Sequence, residues 1–398
     1  MYQQQSLTGN YVANKRLHKS IVNKSQGVFC AVVSAVESPL MSQNSSKKSL
    51  FFIMLLMMSA MILNMAFIKN AAADNQLQIV ASIQPVQLLV NEITGISDSE
   101  QIPQATLLIN SSQNPQLQSL SSSQQALVSE ANYVFYISDE FEKYMRAAKR
   151  SERSSRSIFK YIELGKLDGI RLLSIRQSGQ MSHAFHGDIK PSLKPKVIKK
   201  KTGKKQGLHN HSDHDELGPD WHIWLNPDNA IVMLGKIRDV LLELDPNQNE
   251  RYQRNYKNAV YRITVQSQRV AEKMMHVMKM PYLTVHDCYQ YFEEQYGLKP
   301  VGSILSHHDQ KPSIKRVAEV RELIEDHNVR HVLKESHVPT KAVAPVIEGF
   351  DAQIVNIDAA GSASSSQMRT YTDFIDDFAG VFYHGLIGEQ LDGESVKK

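Results

Sequence analysis

The chain has 398 residues, 42% of them hydrophobic, and a formal net charge of +4 at pH 7. This composition excludes collagen-like and wholly disordered chains, and so small a positive charge does not indicate a nucleic-acid-binding protein. The only two cysteines, Cys30 and Cys288, exclude a disulfide framework and a Cys-based metal framework, and the length favours two domains with additional segments.

Residues 1–73 are predicted to form an N-terminal extension followed by a signal peptide. Lys47 and Lys48 precede an apolar run over residues 50–68, and a stretch of three alanines then ends at Ala73. A basic start, an apolar centre and a small-residue exit are typical of a secretory signal, so we predict cleavage after Ala73. The alternative is a retained membrane anchor, because the run is longer than the roughly 7–15 residues of a usual signal core.

Short apolar strands alternate with helices in the next part of the chain, which we assign to an N-terminal lobe over residues 74–245. The predicted strands cover residues 77–83, 105–109, 133–137 and 170–175. The predicted helices are a segment that ends at Gly95 and residues 119–131 and 140–149. This alternation predicts an α/β fold with a mostly parallel sheet that has helices on both faces.

The alternation stops over residues 177–219, which are rich in Lys, His, Gly and Asp. We predict a long disordered insertion, because nothing in this segment could bury an apolar face. Its histidines and acidic residues are typical of a weak metal-collecting loop, and the alternative is a solvated polar loop whose histidines are incidental. The histidines assigned to this auxiliary role are His183, His186, His209, His211 and His214.

A helix over residues 227–244 follows the insertion and ends at Asp245-Pro246. The next segment keeps a helical pattern without proline or glycine to residue 278, which is long for a globular helix. We therefore predict a rigid linker helix over residues 246–278 between two lobes.

Alternation resumes in a predicted C-terminal lobe over residues 279–398, although no internal sequence repeat is visible. The predicted strands cover residues 282–285, 301–305, 329–334 and 353–357. The predicted helices cover residues 289–296, 313–327, 340–349 and 367–386.

Several potential metal ligands follow predicted strands directly, at the edge where open α/β sheets bind their ligands. His286 follows the strand over residues 282–285, Glu335 and Asp358 follow later strands, and His222 lies just after the insertion. Two imidazoles and one carboxylate suit Zn²⁺, and less specifically Mn²⁺ or Fe²⁺. Each residue alone also has a plain structural explanation, such as a hydrogen-bonded histidine or an aspartate that caps a helix.

Two segments carry a resemblance to a known family. Residues 220–227 read Asp-Trp-His-Ile-Trp-Leu-Asn-Pro and residues 285–292 read Val-His-Asp-Cys-Tyr-Gln-Tyr-Phe. Both resemble segments of the metal-binding solute receptors of ABC transporters, the zinc/manganese cluster, and the ends of the strands before Glu335 and Asp358 are similar to that family as well. The resemblance covers residues 78–390 and implies two α/β lobes, joined by one long helix, with a metal ion in the cleft.

Carried over by position, the resemblance implies metal ligands at His222, His286 and Asp358. Gln116 stands where that family usually has a further histidine, and an amide oxygen is a poor zinc ligand. The site would then have three ligands and a water, or a loop histidine would substitute, or binding would be weak. Further candidates for the site or its surroundings are Gln116 itself, Glu335, His307 and His308.

The resemblance implies a periplasmic receptor that captures Zn²⁺ and delivers it to an ABC permease in the inner membrane. The chain has no phosphate-binding G-x-x-x-x-G-K-[ST] loop, so ATP hydrolysis is assigned to a separate partner. We expect a monomer that is not an enzyme and binds no nucleic acid. The alternatives are a manganese receptor, an exported metal buffer and a zinc-dependent hydrolase, for which Glu335 is the only candidate general base.

Overall fold

The computed structural model describes residues 77–95, 104–109, 116, 119–151, 160–176, 218–305, 312–361 and 369–389. The predicted signal peptide, residues 177–217 of the predicted insertion, His307 and His308 lie outside these residues. Within the described part of the chain, no helix combines the length and the hydropathy that crossing a bilayer requires.

The first lobe is built on a four-stranded parallel sheet with the order β2-β1-β3-β4. Its strands are β1 (Ile79–Ala81), β2 (Ala105–Leu107), β3 (Tyr133–Tyr136) and β4 (Tyr161–Glu163). Its helices are α1 (Gln84–Thr94), α2 (Ser122–Glu130) and α3 (Lys143–Ser151). Local sequence fixes two of these boundaries: α1 ends at Gly95, whose φ of 81° favours glycine, and the Ser121 side chain caps the start of α2.

The predicted strand over residues 170–175 is wrong in its extent and its pairing. Only β5 (Leu173–Ser174) is a strand here, and it pairs antiparallel with β6 (Pro219–Asp220) in a separate two-stranded ribbon. The fourth strand of the parallel sheet is β4, which is too short for its periodicity to be recognised in the sequence. Pro219, predicted to be the last residue of the disordered insertion, instead belongs to β6, where it is paired with Ser174 of β5.

Two helices connect the lobes, α4 (Pro227–Leu244) and α5 (Asn249–Met274). The linker helix is shorter than the predicted 246–278, because residues 246–248 form a 3-10 turn and the helix gives way to turns after Met274. Along its length α5 packs on α1 and α4. One face of α5 is therefore buried against other helices, so the helix is more than a bare spacer.

The second lobe contains a parallel sheet with the order β10-β9-β7-β8. Its strands are β7 (Tyr282–Thr284), β8 (Gly302–Ser303), β9 (His331–Lys334) and β10 (Gln353–Asn356). Its helices are α6 (Gln290–Tyr296), α7 (Ile314–His327), α8 (Ala344–Ile347) and α9 (Tyr371–Ile387). In both sheets the second and third strands flank the first, and the fourth lies outside the third, so the two lobes have one topology. The predicted fold class is thus confirmed.

One hydrophobic core extends through both lobes. Side chains alternate along each strand, so Ile79 and Ala81 of β1 face this shared core while Val80 faces a smaller cluster on the other side of its sheet. In β9, Leu333 faces the shared core and Val332 faces a cluster confined to the second lobe. Helix α9 carries a row of buried phenylalanines into the shared core and also packs on α1 and α5.

Candidate metal centre

The predicted ligands of the second lobe lie at the carboxyl ends of its strands. In each sheet the second strand lies on one side of the first strand and the third strand lies on the other. The connections after the first strand therefore diverge and leave a crevice at the carboxyl ends of the strands. His286 lies two residues after β7, Glu335 directly after β9 and Asp358 two residues after β10. The strand order brings β7 and β9 side by side, so His286 and Glu335 come together although they are far apart in the sequence.

His222 lies just after β6 and is held by Asp220. The Asp220 Oδ1 is 2.7 Å from His222 Nδ1 and also accepts the His222 backbone N–H at 3.0 Å. Both side chains are less than a tenth exposed. The carboxylate engages Nδ1, which is the position that a carboxylate takes in the usual arrangement of carboxylate, histidine and zinc.

Tyr291 on α6 of the second lobe fixes the ribbon that carries Asp220. Its hydroxyl donates to the Asp220 carbonyl at 2.7 Å and accepts from the Leu173 amide at 2.9 Å. The Phe141 and Trp224 rings contact the His222 ring edge-on, with centroids 5.6 and 5.2 Å away. The imidazole is therefore oriented by packing as well as by its carboxylate.

The charge on His222 depends on two opposing effects. Burial lowers the pKa of the ring, but the Asp220 carboxylate, with Glu335 and Asp287 further away, outweighs burial and raises the pKa above its ordinary value. Zn²⁺ binds neutral imidazole, so protons compete with the ion for this residue.

His286 faces His222 and pairs with Glu335. The centroids of the two imidazole rings are 5.6 Å apart, close to the separation of about 5 Å expected for two imidazoles on one tetrahedral zinc ion with Zn–N bonds near 2 Å. His286 Nδ1 is 3.2 Å from Glu335 Oε2, and both side chains are a tenth exposed. Glu335 Oε2 is also 4.0 Å from Nε2 of His337, a histidine that was not predicted to have a metal role.

Cys288 completes a cluster of donors that sequence analysis did not identify. Ligand atoms of His286, Cys288 and Glu335 lie within 4.8 Å of one another, and this is the one such group of three in the described residues. The thiol is fully buried, and burial, followed by the charge of Glu335, raises its pKa well above the ordinary value. The thiol is therefore protonated while no cation is bound.

Asp358 is not a member of this group of three. It is half-buried, and its Oδ1 accepts the Ala360 amide at 2.9 Å within a turn, whereas its alternative explanation was the capping of a helix. Gln116 is half-buried in a turn. The assignments of His222, His286 and Asp358 as ligands stay predictions. His307, His308 and the insertion histidines lie outside the described residues.

A buried ion-pair network that joins the lobes lies beside the centre. Arg176, which follows β5, donates from Nε to Asp287 Oδ2 at 3.0 Å, and its Nη2 pairs with Asp287 and Glu293. Glu293 also accepts the Tyr282 hydroxyl at 2.8 Å. Because Asp287 directly follows His286, this network anchors the loop that carries the histidine.

Asp220 and Cys288 are the two residues that sequence analysis missed at this site. Both lie inside the motifs we quoted, and both are two residues from a predicted ligand. The Asp-x-His spacing was a usable signal for Asp220, whereas Cys288 was considered only as part of a framework with a second cysteine.

Comparisons with known proteins agree with one another. A family model described as "Zinc-uptake complex component A periplasmic", ZnuA, matches residues 79–384. The high-affinity zinc uptake system protein ZnuA of Brucella abortus is 23% identical over 317 residues, which cover 79% of this chain and 92% of that protein. The zinc-binding lipoprotein AdcA of Streptococcus pneumoniae is 24% identical over 268 residues, 67% of this chain and 46% of that protein.

Solved structures show the same fold. A crystal structure of ZnuA aligns with a TM-score of 0.59 at 17% identity and covers 78% of this chain and all of that one. The AdcAII protein of Streptococcus pneumoniae also aligns with a TM-score of 0.59 at 17% identity, covering 78% of this chain and 98% of that one.

Proposed function

Because the chain belongs to the ZnuA family of periplasmic zinc-uptake components, we propose that it captures Zn²⁺ where the two lobes meet and delivers it to an ABC-type permease. The observation that carries this proposal is the pair of facing imidazoles of His222 and His286, each with a carboxylate at Nδ1. Two oriented imidazoles in a buried site form a strong donor set for zinc.

The residues of the site have different roles in binding. We assign the Nε2 atoms of His222 and His286 to the ion, with Asp220 and Glu335 holding the Nδ1 atoms. The carboxylates supply negative charge next to a divalent cation, and burial of the site strengthens that attraction because little water screens it. Asp358 is the further carboxylate that we assign to the ion, after rotation out of its turn.

Transport requires partners that this chain does not provide. We assign translocation to a permease and ATP hydrolysis to a separate ATPase, and we assign to this chain a monomeric, non-enzymatic role in the periplasm after cleavage near Ala73. The lobes are taken as residues 74–245 and 279–398, with 246–278 as the connecting helix. Manganese is the weaker candidate cargo, since imidazole-rich sites favour zinc over manganese.

Calorimetric titration of the purified chain with Zn²⁺ and Mn²⁺ tests this function. We expect one tight zinc site with weaker manganese binding, and a loss of zinc affinity of at least about tenfold in His222→Ala and His286→Ala, the scale seen even for residues that only support a ligand. His276, exposed after α5, supplies the control His276→Ala, which should bind like the parent. Unchanged zinc affinity in both site variants would contradict the proposal.

A second measurement separates a receptor from a metal buffer. Zinc uptake by cells under chelation should require this chain and the permease together. Uptake that is unaffected by loss of the chain would support buffering instead.

A further inference from the structure

We propose that Cys288 is itself a zinc ligand, so that the ion is held by a thiolate sulfur together with imidazole nitrogen and carboxylate oxygen. This inference rests on the proposed zinc-binding function and adds a donor of a different chemical class to that site.

The geometry of the donor cluster supports this assignment. Donor atoms of His286, Cys288 and Glu335 lie within 4.8 Å of one another. A tetrahedral zinc ion with bonds of about 2.0–2.3 Å places its donors roughly 3.5 Å apart. Glu335, 3.2 Å from His286 Nδ1, orients the imidazole, so a small movement brings the Cys288 sulfur to donor distance from the imidazole nitrogen that we assign to the ion.

The backbone keeps Cys288 close to His286. The Cys288 amide donates to the His286 carbonyl at 3.1 Å, which makes a tight turn between β7 and α6. Cys288 is fully buried and Tyr289, next to it, is 1% exposed, so the turn is held by packing on both sides. A ligand fixed in this way loses little conformational freedom when it binds an ion.

The chemistry of the site also fits a thiolate. At the position where the resembled family has a further histidine this chain has Gln116, an amide and a poor ligand for zinc. With Cys288, the donors would be two imidazoles, one thiolate and one carboxylate, a complete tetrahedral set that needs no water. On binding, the thiol proton leaves to solvent as the zinc–sulfur bond forms. A thiolate selects zinc over manganese, because soft ligands suit zinc and manganese prefers oxygen.

Cobalt substitution of the full chain tests the sulfur bond directly. Co²⁺ takes the place of zinc in such sites, and a thiolate ligand gives it a sulfur-to-cobalt charge-transfer band in the near ultraviolet. We expect the band in the parent chain and in the Cys30→Ser control, which removes the other cysteine, and its loss in Cys288→Ser. Zinc affinity should fall about tenfold or more in Cys288→Ser and Cys288→Ala, with a smaller preference over manganese.

X-ray absorption of the zinc-loaded parent chain provides a reading that does not depend on any variant folding. We expect one sulfur at about 2.3 Å from zinc. Tight zinc binding with only nitrogen and oxygen neighbours would overturn the Cys288 assignment and leave the proposed function intact. Absence of tight zinc binding in the parent chain would overturn both.

Discussion

Asp220 determines which nitrogen of His222 can bind an ion, because its carboxylate lies 2.7 Å from Nδ1 and is itself buried. The second oxygen, Oδ2, is also buried and has no hydrogen-bond partner among the described residues. A carboxylate left partly unsatisfied in this way favours a positive charge nearby, either a protonated imidazole or a metal-bound one. We therefore predict that Asp220 supports binding without touching the ion.

Asp220→Asn should weaken zinc binding about 10–100-fold, the usual effect of losing the partner that orients a ligating histidine. The amide keeps the size of the side chain but removes the charge that stabilises the cation. Calorimetry with zinc measures the change. The matched control is Asp239→Asn, which changes an exposed aspartate on α4 and should leave the zinc affinity unchanged. Equal zinc affinities for the parent chain and Asp220→Asn would show that His222 needs no carboxylate partner.

Glu142 gives the metal-free protein a pH dependence of its own. Its Oε2 accepts the amides of Ile137 and Ser138 at 2.7 and 3.1 Å, and burial raises the pKa of its carboxyl to about 8. In the unfolded chain this carboxyl ionises near 4.5, whereas in the folded chain it stays protonated until about pH 8. Its contribution to stability is therefore complete below about pH 4.5 and is lost as the pH rises toward 8.

Glu142→Gln should remove this pH-dependent loss of stability. The glutamine amide oxygen can accept the same two hydrogen bonds, and the side chain does not ionise. Near pH 8 the metal-free variant should be more stable than the parent by an amount on the order of a few kcal/mol, with the difference shrinking toward pH 4.5. Denaturant unfolding over this pH range measures it. The exposed Glu130→Gln is the control, and parent and Glu142→Gln curves that stay parallel with pH would rule out the effect.

At the scale of residues, a ligand could be predicted where a sequence motif coincides with the carboxyl end of a predicted strand. His286 and Glu335 were predicted to lie close together because parallel strands end at one edge of a sheet. His222 was added through the family resemblance, and the structure brings the three residues together. Asp220 and Cys288 were not predicted, since their roles depend on which side chains face each other across the centre. That information lies in the packing of the lobes and has no periodic signature in the sequence.

At the scale of elements, the long and regular segments were predictable and the shortest ones were not. Helix α5 was recognised from a pattern of more than twenty residues, and its ends were misplaced by a few residues where 3-10 turns replace the helix. Strand β4 has three residues and was missed, while β5 was assigned to the wrong sheet. Strands this short are defined by the partner that they pair with, so local sequence cannot assign them.

Arg176→Met should destabilise the metal-free chain by about 3 kcal/mol or more, because it leaves the buried carboxylates of Asp287 and Glu293 without their cation. Chemical denaturation of the metal-free protein measures the change. Arg171→Met is a matched control from the same segment: Arg171 pairs with Glu294 on α6, but that pair is exposed and should contribute less than about 1 kcal/mol. A cost for Arg176→Met no greater than for Arg171→Met would argue against a structural network between the lobes.

At the scale of the whole molecule, two lobes with separate sheets share one interior. The core that begins at Ile79 in β1 continues through Trp224 and Tyr252 to Leu386 in α9, and the described residues belong to one compact unit. Polar contacts add to this: the Trp224 indole donates to the Ala359 carbonyl, and the Tyr371 hydroxyl donates to the Trp224 carbonyl, both at 2.7 Å. The sequence correctly predicted two lobes. It could not predict the shared core, because this core depends on which faces of the helices pack against one another.

The shared core predicts that the metal-free chain unfolds in one cooperative transition despite its two sheets. Tryptophan fluorescence reports on Trp221 and Trp224 near the centre, and far-ultraviolet circular dichroism reports on the helices of both lobes. The two denaturation curves should coincide. Separate midpoints would show instead that each lobe is an independent folding unit.

Helix α5, which packs on α1, α4 and α9, has a consequence for how long a captured ion stays bound. Two bodies that share a large apolar interior do not swing apart freely, so an open state of this protein is rarely populated. Dissociation must then proceed by breaking the bonds to the ion one at a time. After each bond breaks, the remaining donors are still in place and can hold the ion until the bond forms again. The residence time is set by these local steps, and rapid unloading requires an acceptor that offers competing donors while the receptor itself stays closed.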